Sequence, residues 1–147
     1  VTRRLALDSG DARIGIAVSE GTLVLPIEAI PNDSKAITRI LSEIQTRSIT
    51  AVYIGLPLSL RGELSSSAQK AISLGKSIAS QSQVPVRFVD ERLTTKTAAS
   101  MLRTAGKNAK SSKNIIDAQA AAIILESALQ QEVRGQLAGK TLEDFND

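Results

Sequence analysis

Leu5-Ala6-Leu7-Asp8-Ser9-Gly10-Asp11-Ala12-Arg13-Ile14-Gly15-Ile16-Ala17-Val18 is the stretch that decides the fold. An apolar run ends in one acid, passes a glycine turn and resumes as a second apolar run, the pattern of a β-hairpin with Asp8 at the end of its first strand. Leu5 to Leu7 are continuously apolar, as in a strand buried on both faces. An unpaired carboxylate beside such a core costs several kcal/mol or stays protonated. Asp8 therefore calls for a partner: a metal ion, Arg13 from across the turn, or the backbone N–H groups of residues 9–12. The alternative is purely local, with Asp8 hydrogen-bonding the backbone two residues on and capping the Gly10 turn.

Working outward, the 147 residues fit one domain with a single sizeable core. Hydrophobic residues make up 42% and charged residues 22%, but aromatic residues only 2%, so the core must be built from Ile, Leu, Val and Ala. No apolar run approaches a membrane span and no signal peptide precedes the first strand, so a cytoplasmic location with no membrane partner is expected. Without cysteine there is neither a disulfide framework nor a thiolate zinc site. Without histidine, catalytic triads that need an imidazole base are excluded, which leaves carboxylates as metal ligands or bases.

Beyond the hairpin, Leu23, Leu25 and Ile27 alternate through a third strand over Thr22 to Ile30, with Pro26 suiting an edge. Asn32-Asp33-Ser34 offers capping groups to an amphipathic helix from Lys35 to about Thr46. Ala51-Val52-Tyr53-Ile54 reads as a buried strand whose carboxyl end runs into the loop Gly55 to Glu63, where open α/β sheets place their sites. Helical spacing returns from Ser65 to Ser80, and Val86 to Val89 form another strand that runs directly into Asp90-Glu91-Arg92. Side chains alternate along a strand, so only one of Asp90 and Glu91 can face Asp8. A helix capped by Thr94 or Thr95 is expected to end at Gly106. Arg103, Lys107, Lys110 and Lys113 then cluster about a glycine- and serine-containing segment without an acid, either a phosphate-holding loop or a solvated surface. The last helix opens at Asn114, which puts Asp117 in its first turn, where a carboxylate would serve the free N–H groups. Residues 1–130 form the expected domain, and 131–147 a frayed or disordered tail.

Three acids thus fall at the ends of buried elements: Asp8, the Asp90-Glu91 pair and Asp117. Carboxylates brought together repel unless a hard cation such as Mg²⁺ or Mn²⁺ lies between them, and oxygen-only ligands suit those ions. Such a centre activates water on a phosphodiester without histidine.

Four motifs, in order, resemble the YqgF family, also described as RuvX or Holliday junction resolvase-like, whose members are regarded as nucleases of pre-16S rRNA. They are Asp8-x-Gly10-x-x-Arg13-Ile14-Gly15-x-Ala17-x-Ser19, Gly55-Leu56-Pro57-Leu58 with Gly62, Asp90-Glu91-Arg92-Leu93-Thr94-Thr95, and Asp117-Ala118-x-Ala120-Ala121. The resemblance implies an α/β, RNase H-like fold with a mixed five-stranded sheet flanked by helices, and hydrolysis of nucleic acid that depends on Mg²⁺ or Mn²⁺. It implies Asp8, Glu91 and Asp117 as catalytic and metal-binding acids, and Arg13 and Arg92 as supporting charges for the acids or for substrate phosphate. With Lys107, Lys110 and Lys113 these make up the expected substrate contacts. One departure stands out against the wider group of junction-resolving nucleases. Their middle strand supplies a glutamate where this chain has Gly55-Leu56-Pro57, and a further acid one turn along the last helix where it has Ala120, so the set is three carboxylates rather than four.

The leading reading is a cytoplasmic nuclease processing the 5′ end of pre-16S rRNA, as a monomer or a homodimer. A nuclease for branched DNA and a non-catalytic ribosome-assembly factor are the competing readings. Sugar kinases and actin-like ATPases share a strand-one Asp-x-Gly loop but need two such domains around a nucleotide, which this length does not provide.

Overall fold

The computed structural model describes residues 2–58, 64–91, 112–132 and 136–145, with side chains of the last helix described from residue 116 onward. Strands β1 (Arg3–Ser9), β2 (Arg13–Glu20) and β3 (Leu23–Pro31) come first, followed by helix α1 (Ala36–Thr46) and strand β4 (Ala51–Leu56). Helix α2 (Ser66–Gln81), strand β5 (Val86–Asp90), helix α3 (Ser112–Gln131) and a 3₁₀ turn (Leu142–Phe145) complete the order. The five strands form one sheet in the order β3-β2-β1-β4-β5. β1 pairs antiparallel with β2, and β2 with β3, while β1–β4 and β4–β5 are parallel. This is the mixed sheet with flanking helices that the resemblance implied.

β1 is the central strand, which is why Leu5, Ala6 and Leu7 are wholly buried. Alternation sorts its side chains between two cores. Leu5 and Leu7 join Ile14, Ile16, Ile54 and Phe88 beneath α1 and α2. Ala6 turns the other way and joins Ala17, Tyr53 and Val89 against Ala121, Ala122, Leu125 and Ala128 of α3. The α3 face of the sheet is alanine-rich on both sides of the contact, so the helix lies very close to the strands. Ser65 caps α2, its hydroxyl accepting from the Ala68 N–H. Ahead of α1 the Asp33 carboxylate accepts from the Lys35 N–H at 2.9 Å.

Two expectations are corrected. The segment beyond α3 is not frayed where it is described: Lys140 and Phe88 exchange both backbone hydrogen bonds, at 2.8 and 2.9 Å, along the outer edge of β5. Leu142 and Phe145 pack on the core, and the Phe145 ring stands edge-on to Phe88 at 5.4 Å. These apolar residues follow no helical or strand period, so only a surface already formed by β5 can give them a place. The second correction concerns α3, which begins at Ser112 rather than Asn114 and so places Asp117 in its second turn, past the free N–H groups that a first-turn carboxylate would serve. Among the described residues no helix is long and apolar enough to cross a membrane. The helix expected over 94–106 and the basic segment as far as residue 111 lie outside the described residues, while Lys113 and Asn114 fall in the first turn of α3 rather than in a loop.

Candidate functional site

Asp8 is the residue of β1 where the core gives way to solvent, and even-numbered alternation turns it to the α3 face. Across the sheet it is paired with Gly15 of β2, and Gly55 is the β4 residue that follows the Leu7–Ile54 pair. Asp8 is therefore flanked on both sides by residues without side chains. Each absence is filled by something specific. A Cβ on Gly15 would lie 1.9 Å from the Asp117 carbonyl oxygen, so only glycine lets α3 approach β2 this closely. A Cβ on Gly55 would lie 2.5 Å from Glu91 Oε1 and 2.4 Å from Ile124 Cδ1, because the Glu91 side chain runs back over β4. There it hydrogen-bonds the Asp8 side chain.

Ionised carboxylates only accept hydrogen bonds, so a proton lies between these two groups. Burial pushes the Glu91 carboxyl up to about 8, helped by the charge of Asp8, their mutual hydrogen bond and the charge of Asp90. Asp8 is also raised, chiefly by burial; the bond from Glu91 works against the rise and the charge of Asp117 adds to it. Of the alternatives that the alternation left open after β5, Glu91 is thus the one that reaches Asp8.

Of the partners open to Asp8, Arg13 goes elsewhere. Arg13 shares the α3 face with Gly15, two residues away, and its Nε–H donates to Asp117 Oδ2 at 2.8 Å. The local alternative for Asp8 fails as well, since the Gly10 N–H, two residues on, donates to the Arg13 carbonyl at 2.9 Å. Asp8, Glu91 and Asp117 thus come from three elements to one corner of the molecule, two sharing a proton and the third held by a guanidinium. Arg92, Lys107 and Lys110 lie outside the described residues, as does the Lys113 side chain. Gly15 and Gly55 stand in the sequence only as motif residues; the signal for their role is their register beside Asp8, which becomes visible once strands are paired.

The donor chemistry of this corner suits a hard divalent cation. Asp8 and Glu91 offer only oxygen, and their raised proton affinity marks a place where positive charge is stabilising. Among the described residues no group of three or more acid side chains closes around a cation position, Asp117 being turned to Arg13. The oxygen donors of the Asp8–Glu91 pair suit such a cation.

The family model RuvX, Holliday junction resolvase, matches residues 2–131. A protein of Streptomyces coelicolor named "Putative pre-16S rRNA nuclease" is 42% identical over 147 residues, covering 96% of this chain and 88% of its own. One of the same name from Clavibacter michiganensis subsp. michiganensis is 40% identical over 134 residues, covering 88% and 83%. Among solved structures, Thermus thermophilus RuvC in complex with Holliday junction substrate superposes with a TM-score of 0.62 at 18% identity, covering 93% of this chain and 99% of that one. At that identity the likeness is one of fold, the RNase H-like fold.

Proposed function

This chain belongs to the RuvX family, and from that membership and the acidic corner we propose that it is a nuclease, hydrolysing phosphodiester bonds with the 5′ end of pre-16S rRNA as substrate. The observation that carries the reading is the meeting of Asp8 and Glu91 across Gly55, with Asp117 beside them. Three acids drawn from β1, the end of β5 and α3 have no structural reason to share one partly buried corner, since Asp8 raises the cost of ionising Glu91 and Asp117 that of Asp8. Such clusters of perturbed carboxyls are where function resides.

In this reading Asp8 and Glu91 hold a Mg²⁺ or Mn²⁺ ion, and Asp117 completes the set. When bound, the ion supplies an activated water and stabilises charge on the phosphodiester oxygens. The protein contributes the rest. Gly55 leaves the space in which Glu91 crosses the sheet, and Gly15 lets α3 bring Asp117 forward. Arg13 and Arg92 sit in motifs beside the acids and contact substrate phosphate, with Lys107, Lys110 and Lys113 extending the grip along the backbone. An aromatic content of 2% leaves little for base stacking, so affinity comes from phosphate contacts. The name that the curated relatives carry, matched across nearly the whole chain, supports pre-rRNA as the substrate. Branched DNA is the second reading, favoured by the family's own description as Holliday junction resolvase.

Cleavage of three matched substrates tests the choice: a pre-16S 5′-leader RNA, a four-way DNA junction and a linear duplex, each with Mg²⁺, Mn²⁺ or chelator. Metal-dependent cutting of the leader alone is the expected result. Cutting confined to the junction would select the DNA reading, and binding without cutting in any metal would turn the protein into an assembly factor.

A further inference from the structure

The three acids are not neutralised alike. The Glu91 carboxyl crosses Gly55 to meet Asp8, whereas Asp117 is held by the Nε–H of Arg13 at 2.8 Å. Both ends of that ion pair are fixed by the fold: Arg13 by the first pairing step of β2, Asp117 by the contact of α3 with Gly15. Both also stay reachable, with 33% of the Arg13 side chain and 29% of that of Asp117 exposed. A guanidinium has five N–H donors in a planar fork, and the contact with Asp117 uses the Nε edge.

This arrangement creates a competition. A divalent cation that recruits Asp117 must either sit beside the guanidinium, at a like-charge cost, or displace it. A phosphate offers the guanidinium a replacement partner, and Arg binds phosphate with two parallel hydrogen bonds. Resting on the nuclease reading above, we propose that Arg13 is a positioning residue that withholds Asp117 from the Asp8–Glu91 pair until a substrate phosphate takes the guanidinium. Nucleic acid and divalent cation then bind with positive cooperativity, and each raises the affinity of the other by the same factor. The full acid set assembles only with nucleic acid in place.

The test is Mn²⁺ binding read by the spin-resonance signal of the free ion, with and without a 2′-O-methyl 12-nucleotide single strand checked intact afterwards. Asp8→Asn protein defines the ion bound outside the site, and cooperative melting establishes that each variant is folded. For wild type, the strand should tighten the Asp8-dependent Mn²⁺ site by roughly 5- to 50-fold, within the usual range of coupling between sites. Arg13→Gln should bind Mn²⁺ about fivefold tighter than wild type with no strand present, and the strand should add less than about twofold. Arg13→Lys keeps the charge but loses the fork, so its coupling should fall between the two; it carries the test if Arg13→Gln fails to fold.

Equal coupling in wild type and Arg13→Gln would overturn the proposal, and so would weaker Mn²⁺ binding in a folded Arg13→Gln, because Arg13 would then be helping to build the site. Either result, with an Asp8-dependent Mn²⁺ site still present, leaves the nuclease reading standing. Absence of any Asp8-dependent Mn²⁺ binding, with or without the strand, would overturn both.

Discussion

The two ends of β1 carry charged residues of opposite sign on the same face of the sheet, Arg4 at one end and Asp8 at the other, and α3 answers them in opposite ways. Arg4 is 6% exposed and fully engaged: its guanidinium contacts both oxygens of Glu132 at 3.1 and 3.3 Å and donates to Thr50 Oγ1 at 2.6 Å. The Tyr53 hydroxyl donates to the same carboxylate and accepts from the Ala138 N–H, so the network ties β1, β4, the end of α3 and the segment beyond it together. Burial and the bond to Glu132 hold the Tyr53 hydroxyl protonated, well above its ordinary range. At the Asp8 end α3 brings another acid. One end balances charge and fixes the structure, while the other gathers like charge and stores a demand for a cation. A buried charge with a matched partner is architecture; carboxyls gathered with raised proton affinity mark a candidate site.

The contrast can be broken most severely at Asp8. Asp8→Asn should lower metal-dependent cleavage by about a thousandfold or more, because a ligand is lost, while the melting temperature of the metal-free protein holds or rises. Loss of folding in that variant would place Asp8 with the architecture instead. Glu132→Ala is the mirror experiment. Leaving the Arg4 charge buried and unpaired should cost about 3–5 kcal/mol in urea unfolding, with Mn²⁺ affinity per folded molecule unchanged. A change in that affinity would show that the two ends communicate.

Gly55→Ala sharpens the contrast from within. Its Cβ would fall on Glu91 Oε1 and Ile124 Cδ1, so the Glu91 carboxyl has to shift from its place against Asp8. Cleavage should drop about 10- to 100-fold, with a stability loss of about 1–3 kcal/mol. A last effect is in pH. Glu91 keeps its proton in the folded chain up to about 8 but releases it near 4.5 when unfolded. Between those values the folded state holds the extra proton, so metal-free stability is highest at the acid end and falls as pH rises, by at most about 1.4 kcal/mol per pH unit. Thermal melts at pH 5 and pH 8 should show that fall, and Asp8→Asn should make it shallower by removing one of the charges that raise Glu91.

Much of the fold was legible because its signals are local. Leu5 to Leu7 declare a strand buried on both faces, the Gly10 turn declares a hairpin, and the spacing of Ile37, Ile40, Leu41 and Ile44 declares α1, since each pattern follows from the period of its own backbone. The segment beyond α3 was not legible. Ala138, Lys140 and Phe145 have no period of their own and are ordered by Tyr53 and Phe88, which lie far away in sequence. The site divides in the same way. Asp8 announces itself as an acid closing an apolar run, but Arg13 faces an acid from α3 rather than its neighbour across the turn. No spacing rule relates residues 13 and 117.

By itself, then, the sequence determined the five strands, α1 and α2, the absence of thiol and imidazole chemistry, and the acids that could matter, because composition and periodicity act within one element. Which acids meet, and what neutralises each, only the tertiary structure decided. Strand register set Gly15 and Gly55 on either side of Asp8, and the two missing side chains admitted the α3 backbone and the Glu91 carboxyl. The strength of a charge interaction depends on a separation in space, and that separation is fixed only when the sheet and α3 have packed.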